Sequence, residues 1–269
     1  MKYMKYQVPV ASIVCMGTAF AAGIIIPVAM FLYFRKKKNA SMRPFFVGWI
    51  AFVIAVTILE KLFHTLVLGS PIGSYITGNL FLYALYGGVI AGLFEELTRY
   101  FCFSKLLKDC DEEADALMYG AGHGGSEMFN LLSVTMANNL AYALTVNSSG
   151  ADAILSGLSG SALANVESVL LQLSTTPSCM FLLSIAERIS AVAIHLALSL
   201  LVFYAAKNPK EDKKLLLLAV ELHAAADFLA VIAAGTMPLP IAEILIAAIA
   251  GFTVFFAKKV YDAHHAEAA

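Results

Sequence analysis

The chain has 269 residues, of which 60% are apolar and 14% are charged, and its formal net charge is −1. Soluble domains carry about 25% charged residues, so this composition excludes a soluble globular protein and a disordered chain. The small net charge provides no basic field for phosphates, so we expect no nucleic-acid partner. The four cysteines lack C-x-x-C spacing, which argues against a zinc knuckle or a disulfide framework.

Seven apolar segments are long enough to cross a bilayer, which takes about 20 residues of helix. In chain order they are 8–34, 44–68, 78–103, 116–146, 178–206, 215–235 and 239–257. We therefore predict an all-α fold, a polytopic transmembrane helix bundle of about seven spans. We expect residues 1–269 to form a single integral membrane domain in the cell membrane.

The cationic residues lie in alternate loops, and cytoplasmic loops are the ones enriched in Lys and Arg. Thirteen of the 18 lysines and arginines fall in 35–43, 104–115, 207–214 and the tail after 257. The loops 69–77, 147–177 and 236–238 hold none, and the N-terminus holds Lys2 and Lys5. With seven spans, this pattern predicts an external N-terminus and a cytoplasmic C-terminus.

Two of the segments outside the predicted spans are the 147–177 connection and the C-terminal tail. The long 147–177 connection contains an apolar stretch, Leu163–Leu173, which predicts an amphipathic helix in an external loop. The tail after Tyr261 has the composition of a short solvated end, so we interpret His264 and His265 as tail residues rather than ligands.

Ionisable side chains inside the spans are costly, at about 2.5–3.5 kcal/mol each, and therefore usually face a bundle interior or a wet cavity. Acids and histidines of different spans fall at one depth here, about 10–18 Å from the cytoplasmic side. This layer contains Glu95, His123, Glu127, His195, His223 and Asp227. Residues four apart, such as His123 and Glu127, share one helix face. The sequence thus predicts a polar site in the cytoplasmic half of the bilayer.

Carboxylates beside imidazoles in a semi-dry cavity are suited to activating water. A glutamate can act as general base, and a His–Asp pair opposite can donate hydrogen bonds to an oxyanion. This chemistry describes amide or ester hydrolysis without a covalent intermediate, and it requires no cofactor. Zinc is the alternative, with a ligand set drawn from His123, Glu127, His195, His223 and Asp227, although no H-E-x-x-H pattern occurs in the chain.

Three short motifs resemble those of the glutamic-type intramembrane proteases, a group that includes the CAAX-processing and bacteriocin-processing enzymes. The run 95–100 (E-E-L-T-R-Y) resembles their E-E-x-x-x-R signature. Tyr119-x-x-x-His123 resembles their second motif, and His223-x-x-x-Asp227 resembles their last. The fuller pattern, with G-x-G-H-G-G-x-E over 120–127, is most similar to the YhfC branch of membrane peptidases. The resemblance covers the third to the sixth predicted span.

The resemblance implies an intramembrane endopeptidase whose site opens toward the cytoplasm. Its substrate would be a membrane protein or a membrane-associated peptide, including a lipidated one. Glu95 would be the water-activating base, and Arg99 would hold Glu95 or Glu96 by a charge-assisted hydrogen bond. The arginine here follows the second glutamate by three residues, where the wider family has four. The assignment of the base to Glu95 or Glu96 therefore stays open.

The remaining members of the layer receive roles by the same resemblance. His123 would assist the base, and His223 and Asp227 would line the oxyanion side. Glu127 and His195 have no counterpart in the short motifs, so we interpret them as supporting residues of this branch.

Other functions are compatible with the same residues. Intramembrane Glu, His and Asp also build the proton relays of proton-coupled transporters, but transporters commonly have two related halves, and no internal repeat is evident. A non-catalytic membrane scaffold that retains a protease fold is a further alternative. Near the outer ends of their spans lie Glu60, Lys61, His64, Glu187 and Arg188, which we interpret as a mainly structural network.

Overall fold

The computed structural model describes residues 6–267, where the chain is helical and contains no strand. Its α-helices are α1 (Val10–Lys37), α2 (Arg43–Phe52), α3 (Lys61–Leu68), α4 (Gly73–Thr77), α5 (Leu80–Phe101), α6 (Glu113–Met128), α7 (Thr135–Ser149), α8 (Asp152–Leu155), α9 (Gly160–Thr175), α10 (Met180–Lys207), α11 (Lys214–Thr236) and α12 (Leu239–Glu267). Three π-helical stretches, Val53–Glu60, Cys102–Leu106 and Phe129–Val134, follow α2, α5 and α6 directly. The predicted all-α fold is confirmed.

Six of the described helical segments are long and apolar enough to cross a membrane. They are Val10–Lys37, Arg43–Leu68, Leu80–Leu106, Met180–Lys207, Lys214–Thr236 and Leu239–Ala266. Each matches one predicted span to within a few residues, apart from the longer last helix. The protein is therefore a multi-pass helical membrane bundle. The orientation of its termini stays a prediction, and Lys2 and Lys5 lie outside the described residues.

The predicted span 116–146 lies in the continuous helical run Glu113–Ser149 but is not among these six segments. Its glycines, serines and asparagines make it the least apolar of the predicted spans. The α6 part is buried by protein, with Met118, Tyr119 and Met128 fully inaccessible. A helix enclosed by other helices does not need a lipid-compatible surface, which explains its polar composition. The count of seven spans stays a prediction.

The described residues form two compact units, and the prediction of a single domain stays a prediction. The first unit comprises Met128–Arg188 and the described part of Met1–Ile25. In it, Asn147 donates a hydrogen bond to Val8 O (2.8 Å) and accepts one from Val8 N (2.9 Å). Ser133 Oγ donates to Phe20 O (2.9 Å). A small apolar core formed by Tyr6, Val146, Ala151, Leu155 and Leu170 completes this unit.

The second unit comprises Ile26–Glu127 and the described part of Ile189–Ala269, and it contains every predicted site residue. Its α5 begins at an N-cap, Asn79, whose side chain accepts from Leu82 N (3.1 Å). Helices α5 and α11 approach closely because Gly88 and Gly92 lie against the backbone of 220–228. A Cβ at Gly92 would lie 2.8 Å from Val220 O. The absence of side chains at these positions brings two site-bearing helices together.

The C-terminal tail departs from the expectation of a short solvated end. Helix α12 continues to Glu267 rather than ending near 257. Lys258 pairs with Asp262 one turn later at 2.6 Å. The His264 ring stacks on Tyr204 at 4.0 Å, and its Nε2 lies 2.9 Å from Asp212 Oδ2. These contacts hold the last turns against the ends of α10 and α11, so His264 is a packed residue.

The helix predicted within 147–177 is confirmed as α9, Gly160–Thr175, preceded by the short α8. Gly150 ends α7 with a φ of 81°, a conformation that glycine adopts readily. The placement of α9 at a membrane surface stays a prediction.

Candidate active site

A buried group of ionisable side chains lies where four helices of the second unit meet. Helix α5 contributes Glu95, Glu96 and Arg99, α6 contributes His123 and Glu127, α10 contributes His195, and α11 contributes His223 and Asp227. We call this set the polar cluster. The structure brings together every residue predicted for the site, although their catalytic roles stay predictions.

Glu96 and Arg99 form a fully buried ion pair one turn apart on α5. Arg99 Nη1 donates to Glu96 Oε2 at 2.9 Å, and both side chains have no exposed surface. His223 Nδ1 donates to the other oxygen, Glu96 Oε1, at 2.7 Å. Both carboxylate oxygens of Glu96 are therefore engaged, which ties α5 to α11. Arg99 thus engages Glu96 rather than Glu95, although its spacing of four residues from Glu95 would also allow a pair.

Glu95, by contrast, faces His123. His123 Nε2 donates to Glu95 Oε2 at 2.8 Å, with exposed fractions of 0% and 8% for the two side chains. The His123 ring lies edge-on to Phe52 at 5.4 Å, and its Nδ1 is buried without a hydrogen-bond partner. Of the two adjacent glutamates, Glu95 is therefore the one within hydrogen-bond reach of His123.

His195 hydrogen-bonds to polar-cluster residues on two different helices, α5 and α6. Its Nδ1 accepts from Arg99 Nη2 at 2.9 Å, and its Nε2 donates to Glu127 Oε2 at 2.5 Å. The same Nδ1 lies 3.9 Å from Glu95 Oε2. The ring centroid of His195 is 4.9 Å from that of His123 and 5.4 Å from that of His223. The imidazole rings of His123, His195 and His223 thus lie next to one another.

The glycines around His123 make this convergence sterically possible. A Cβ at Gly122 would overlap the backbone of Phe45 on α2, and one at Gly124 would lie 3.2 Å from His195 Cβ. Both glycines let neighbouring helices pack on α6 at backbone distance. The packing at Gly124 sets how near His195 lies to His123.

A short gap, longer than a hydrogen bond, separates Glu95 from His223. Glu95 Oε1 lies 3.9 Å from His223 Nε2, and Asp227 Oδ2 lies 3.6 Å from the same nitrogen. Separations of this length between polar atoms are commonly bridged by a water. The Asp227 side chain is 43% exposed, whereas the other members are largely buried. Asp227 therefore marks the open side of the polar cluster.

Three members of the polar cluster also fit a divalent metal ion. One ligand atom each from Glu95, His123 and His195 lie within 4.8 Å of one another, and all three residues are buried. Two imidazoles and a carboxylate form the donor set of many catalytic zinc sites. This trio includes Glu95, which the sequence-based ligand set omitted. Metal ligation by Glu127, His223 or Asp227 stays a prediction.

Sequence reasoning named Tyr119, Glu60 and His64 without a role in the site, and it missed Tyr86. Tyr119 stacks on His123, with 6.0 Å between the ring centroids. Their spacing of four residues was the sequence signal that could have indicated this contact. Glu60 and His64, placed in a structural network, pair at 3.1 Å, and His64 Nδ1 contacts Tyr86 OH at 2.9 Å. Tyr86 carried no sequence signal because its partner lies on another helix. In the first unit, Arg188 pairs with Glu187 at 2.6 Å.

Comparisons with known proteins agree with this architecture. The family model described as YhfC intramembrane metalloprotease matches residues 22–251. The membrane protein YhfC of Bacillus subtilis (strain 168) is 32% identical over 257 residues, covering 93% of this chain and 98% of that protein. No solved structure matches the chain. The resemblance to the YhfC branch is thereby confirmed, whereas the relation to the wider glutamic-type group stays a prediction. This multi-pass membrane protein belongs to the YhfC intramembrane metalloprotease family.

Proposed function

We propose that the chain is an intramembrane endopeptidase that hydrolyses a peptide bond at the gap between Glu95 and His223. The observation that carries this proposal is the contrast between the adjacent glutamates. Glu96 is held by Arg99 and His223 through both oxygens, whereas Glu95 Oε1 lies 3.9 Å from His223 Nε2, beyond hydrogen-bond distance. A general base must reach the proton it removes, and Glu95 satisfies this condition better than Glu96.

The residues support a hydrolysis in two proton transfers. Glu95 takes a proton from the water as the water oxygen bonds to the scissile carbonyl carbon. His123, which donates to the other oxygen of Glu95, keeps the carboxylate oriented. The carbon–nitrogen bond then breaks, and Glu95 returns the proton to the departing amine nitrogen. No covalent bond to the protein forms in this sequence.

His223 is placed to stabilise the oxyanion that forms during the attack. In its protonated form it donates from Nδ1 to Glu96 and from Nε2 into the gap. Donors aimed at a developing oxyanion contribute about 10²–10³-fold to the rate in other hydrolases. Asp227, 3.6 Å from Nε2, orients the ring at the open side. Arg99 and Glu96 act by positioning and do not touch the substrate.

The second candidate is a zinc-dependent peptidase, which the family description and the Glu95, His123 and His195 trio favour. Zinc, when bound, would make a water nucleophilic at neutral pH and polarise the scissile carbonyl. Glu127, which accepts from His195 Nε2, would orient that imidazole as carboxylates do beside metal ligands. Arg99 opposes this role, because its hydrogen bond engages the His195 nitrogen nearest Glu95.

The substrate class follows from the membrane setting. Three of the four helices that carry the polar cluster, α5, α10 and α11, are long and apolar enough to cross the bilayer, and its exposed member is Asp227. We propose a membrane protein or membrane-associated peptide as substrate, including one that bears a lipid. A site that opens toward the cytoplasm is the orientation that the loop cations favour.

The test is a cleavage assay on purified protein in nanodiscs. A panel of synthetic membrane peptides, with and without a lipidated cysteine, is incubated with the parent and with single Glu95, Glu96, His123 and His223 variants, and products are identified by mass spectrometry. Cleavage that persists in Glu95→Gln overturns the glutamate-base mechanism. Cleavage lost with chelator, restored by zinc and accompanied by stoichiometric metal in elemental analysis establishes the metal mechanism. Proton-coupled solute uptake without any cleavage overturns both in favour of transport.

A further inference from the structure

The segment that joins α1 to α2 is strongly cationic and contains no acid. Residues 35–43 include five lysines and arginines, and the first acidic residue of the whole chain is Glu60. The other cationic loops are mixed, because 104–115 contains two lysines and five acids and 207–214 contains four lysines and two acids. The positive charge of 35–43 is therefore not offset by any neighbour in the sequence.

The structure distinguishes the cations of this segment that hold the fold from those that do not. Arg35 Nη1 donates to Ala40 O at 3.1 Å, and Arg43 pairs with Asp109 at 2.7 Å. The three lysines between these arginines are exposed, and within residues 6–267 their ammonium groups have no hydrogen-bond or ion-pair partner. They are Lys36, Lys37 and Lys38, which we call the lysine cluster.

The turn that carries the lysine cluster is fixed by hydrogen bonds. It contains Asn39 with a φ of 53°, a left-handed conformation that asparagine tolerates better than most residues. Ala40 N donates to Phe34 O at 3.1 Å, and Ser41 N donates to Asp115 Oδ1 of α6 at 2.6 Å. A fixed turn loses less entropy than a mobile tail when it binds a ligand.

Exposed apolar side chains lie directly before the lysine cluster on α1. Leu32 and Tyr33 are both exposed, and each lies four positions before a lysine, which places the pair on one helix face. Four residues correspond to about 6 Å along the helix axis, and tyrosines are enriched at the depth of lipid headgroups. A bilayer that covers Leu32 and Tyr33 therefore brings its phosphate groups beside the lysine cluster.

We propose that the lysine cluster binds the phosphate headgroups of acidic phospholipids. Runs of four or more cations directly beside a transmembrane helix are typical of surfaces that attract acidic lipids, and each lysine contributes about fivefold to the affinity. A nucleic acid or an acidic protein would match the charge but would leave Leu32 and Tyr33 uncovered. The apolar face beside the lysines thus favours a lipid.

Lipid binding at this surface is linked to the fold through α6. Phe34 and Ala40, on either side of the lysine cluster, belong to one buried core with Met118 and Ala121 of α6. A ligand that binds only the folded chain raises its stability. We therefore expect acidic lipid to raise the unfolding temperature, whether or not the polar cluster performs proteolysis.

The experiment measures lipid binding to the purified full chain in neutral detergent by native mass spectrometry. The probes are phosphatidylglycerol and phosphatidylcholine with the same acyl chains. We expect phosphatidylglycerol to bind about tenfold or more tightly than phosphatidylcholine, and this preference should decline as the salt concentration rises. Equal affinity for the two lipids overturns the proposal.

Charge-matched variants locate the preference. The variant K36Q/K37Q/K38Q is expected to bind phosphatidylglycerol about tenfold or more weakly than the parent and to lose the rise in unfolding temperature. The control K210Q/K213Q/K214Q removes the same charge from the mixed 207–214 loop and is expected to behave like the parent. All six lysines are exposed, so neither variant removes a buried contact. Equal losses in the two variants would mean that total charge attracts the lipid, and the proposal would be wrong.

Two further measurements identify the occupant. Tyr33→Ser is expected to weaken phosphatidylglycerol binding about two- to fivefold through lost apolar contact, whereas Tyr75→Ser, at an exposed tyrosine of α4, should not. An unchanged affinity in Tyr33→Ser contradicts a lipid occupant. Inorganic phosphate and a hexaglutamate peptide, compared with chloride at matched ionic strength, are expected not to displace phosphatidylglycerol. Displacement by either one shows a site for soluble anions and overturns the proposal.

Discussion

The polar cluster and the trio of Glu60, His64 and Tyr86, which we call the Glu60 chain, both pair glutamate with histidine but differ in construction. The polar cluster draws on four helices, and Glu96, Arg99 and His195 are bonded on two sides each. The Glu60 chain draws on two helical segments and leaves Glu60 Oε2 without a partner. The first arrangement fixes the geometry of several groups around a gap. The second joins one carboxylate, one imidazole and one hydroxyl in a single line of hydrogen bonds.

This difference helps to distinguish charged residues inside the membrane that form a site from those that form only a local pair. An acid and a histidine one turn apart form a local pair in either place, so the pair alone indicates little about function. Convergence of several helices creates a site in which one group, Glu96, can be held while its neighbour, Glu95, faces an open gap. Four experiments test this contrast, and substitution of Glu95 is expected to have the strongest consequence.

Replacing the proposed base, Glu95, is expected to have the largest effect. Glu95→Gln keeps the shape of the side chain but cannot accept the water's proton, so we expect peptide cleavage to fall about 10²–10⁴-fold. The measurement is the initial rate in the nanodisc assay. Glu221→Gln is the matched control, because Glu221 is an exposed acid on α11 outside the polar cluster. Equal loss in both variants would contradict a specific role for Glu95.

Breaking the buried ion pair is expected to act on stability. Arg99→Met leaves Glu96 buried without its counter-charge, which should lower the free energy of unfolding by about 3–5 kcal/mol. Chemical unfolding in detergent measures this change. Arg43→Met is the control, since Arg43 pairs with Asp109 where both side chains are more than half exposed, and such pairs contribute about 0–1 kcal/mol. Comparable losses would show that Arg99 does not hold the polar cluster.

The close approach of α5 and α11 gives a third test. Gly88→Ala places a Cβ against the backbone of Ala224, whereas Gly87→Ala meets nothing within 4 Å. We expect Gly88→Ala to lower the free energy of unfolding by about 1–3 kcal/mol through overpacking and to reduce cleavage by displacing His223. Gly87→Ala should change neither quantity. If the two adjacent variants behave alike, the helix contact does not set the site geometry.

The smallest effect is expected in the Glu60 chain. Tyr86→Phe removes one hydrogen bond to a partly exposed histidine, so the free energy of unfolding should fall by about 0.5–1.5 kcal/mol. Tyr83→Phe, an exposed tyrosine on the same helix, is the control and should be neutral. Thermal unfolding of both variants compares them directly. A loss as large as that of Arg99→Met would mean that the Glu60 chain is as essential to folding as the polar cluster.

Much of the fold followed from the sequence because membrane helices are long apolar runs whose backbone groups bond within the run. Six predicted spans coincide with described helices. The end of α12 was not predictable, because its extension depends on His264 contacting Tyr204 and Asp212. Contacts between residues far apart in the chain leave no local pattern.

The sequence also predicted which residues belong to the site, but it did not predict the hydrogen bonds among them. Helical depth and i,i+4 spacing were enough to group Glu95, His123, His195 and His223 in one layer. Depth cannot show which way each side chain points around its helix relative to neighbours. Only the packing of α5 against α11 and α6 decided that Arg99 engages Glu96 and that Glu95 faces His123. The sequence determined the membrane class, the helices and the available chemistry, because these depend on composition and periodicity. The tertiary structure decided which carboxylate is held through both oxygens and which faces the gap, because this depends on contacts between helices far apart in the chain.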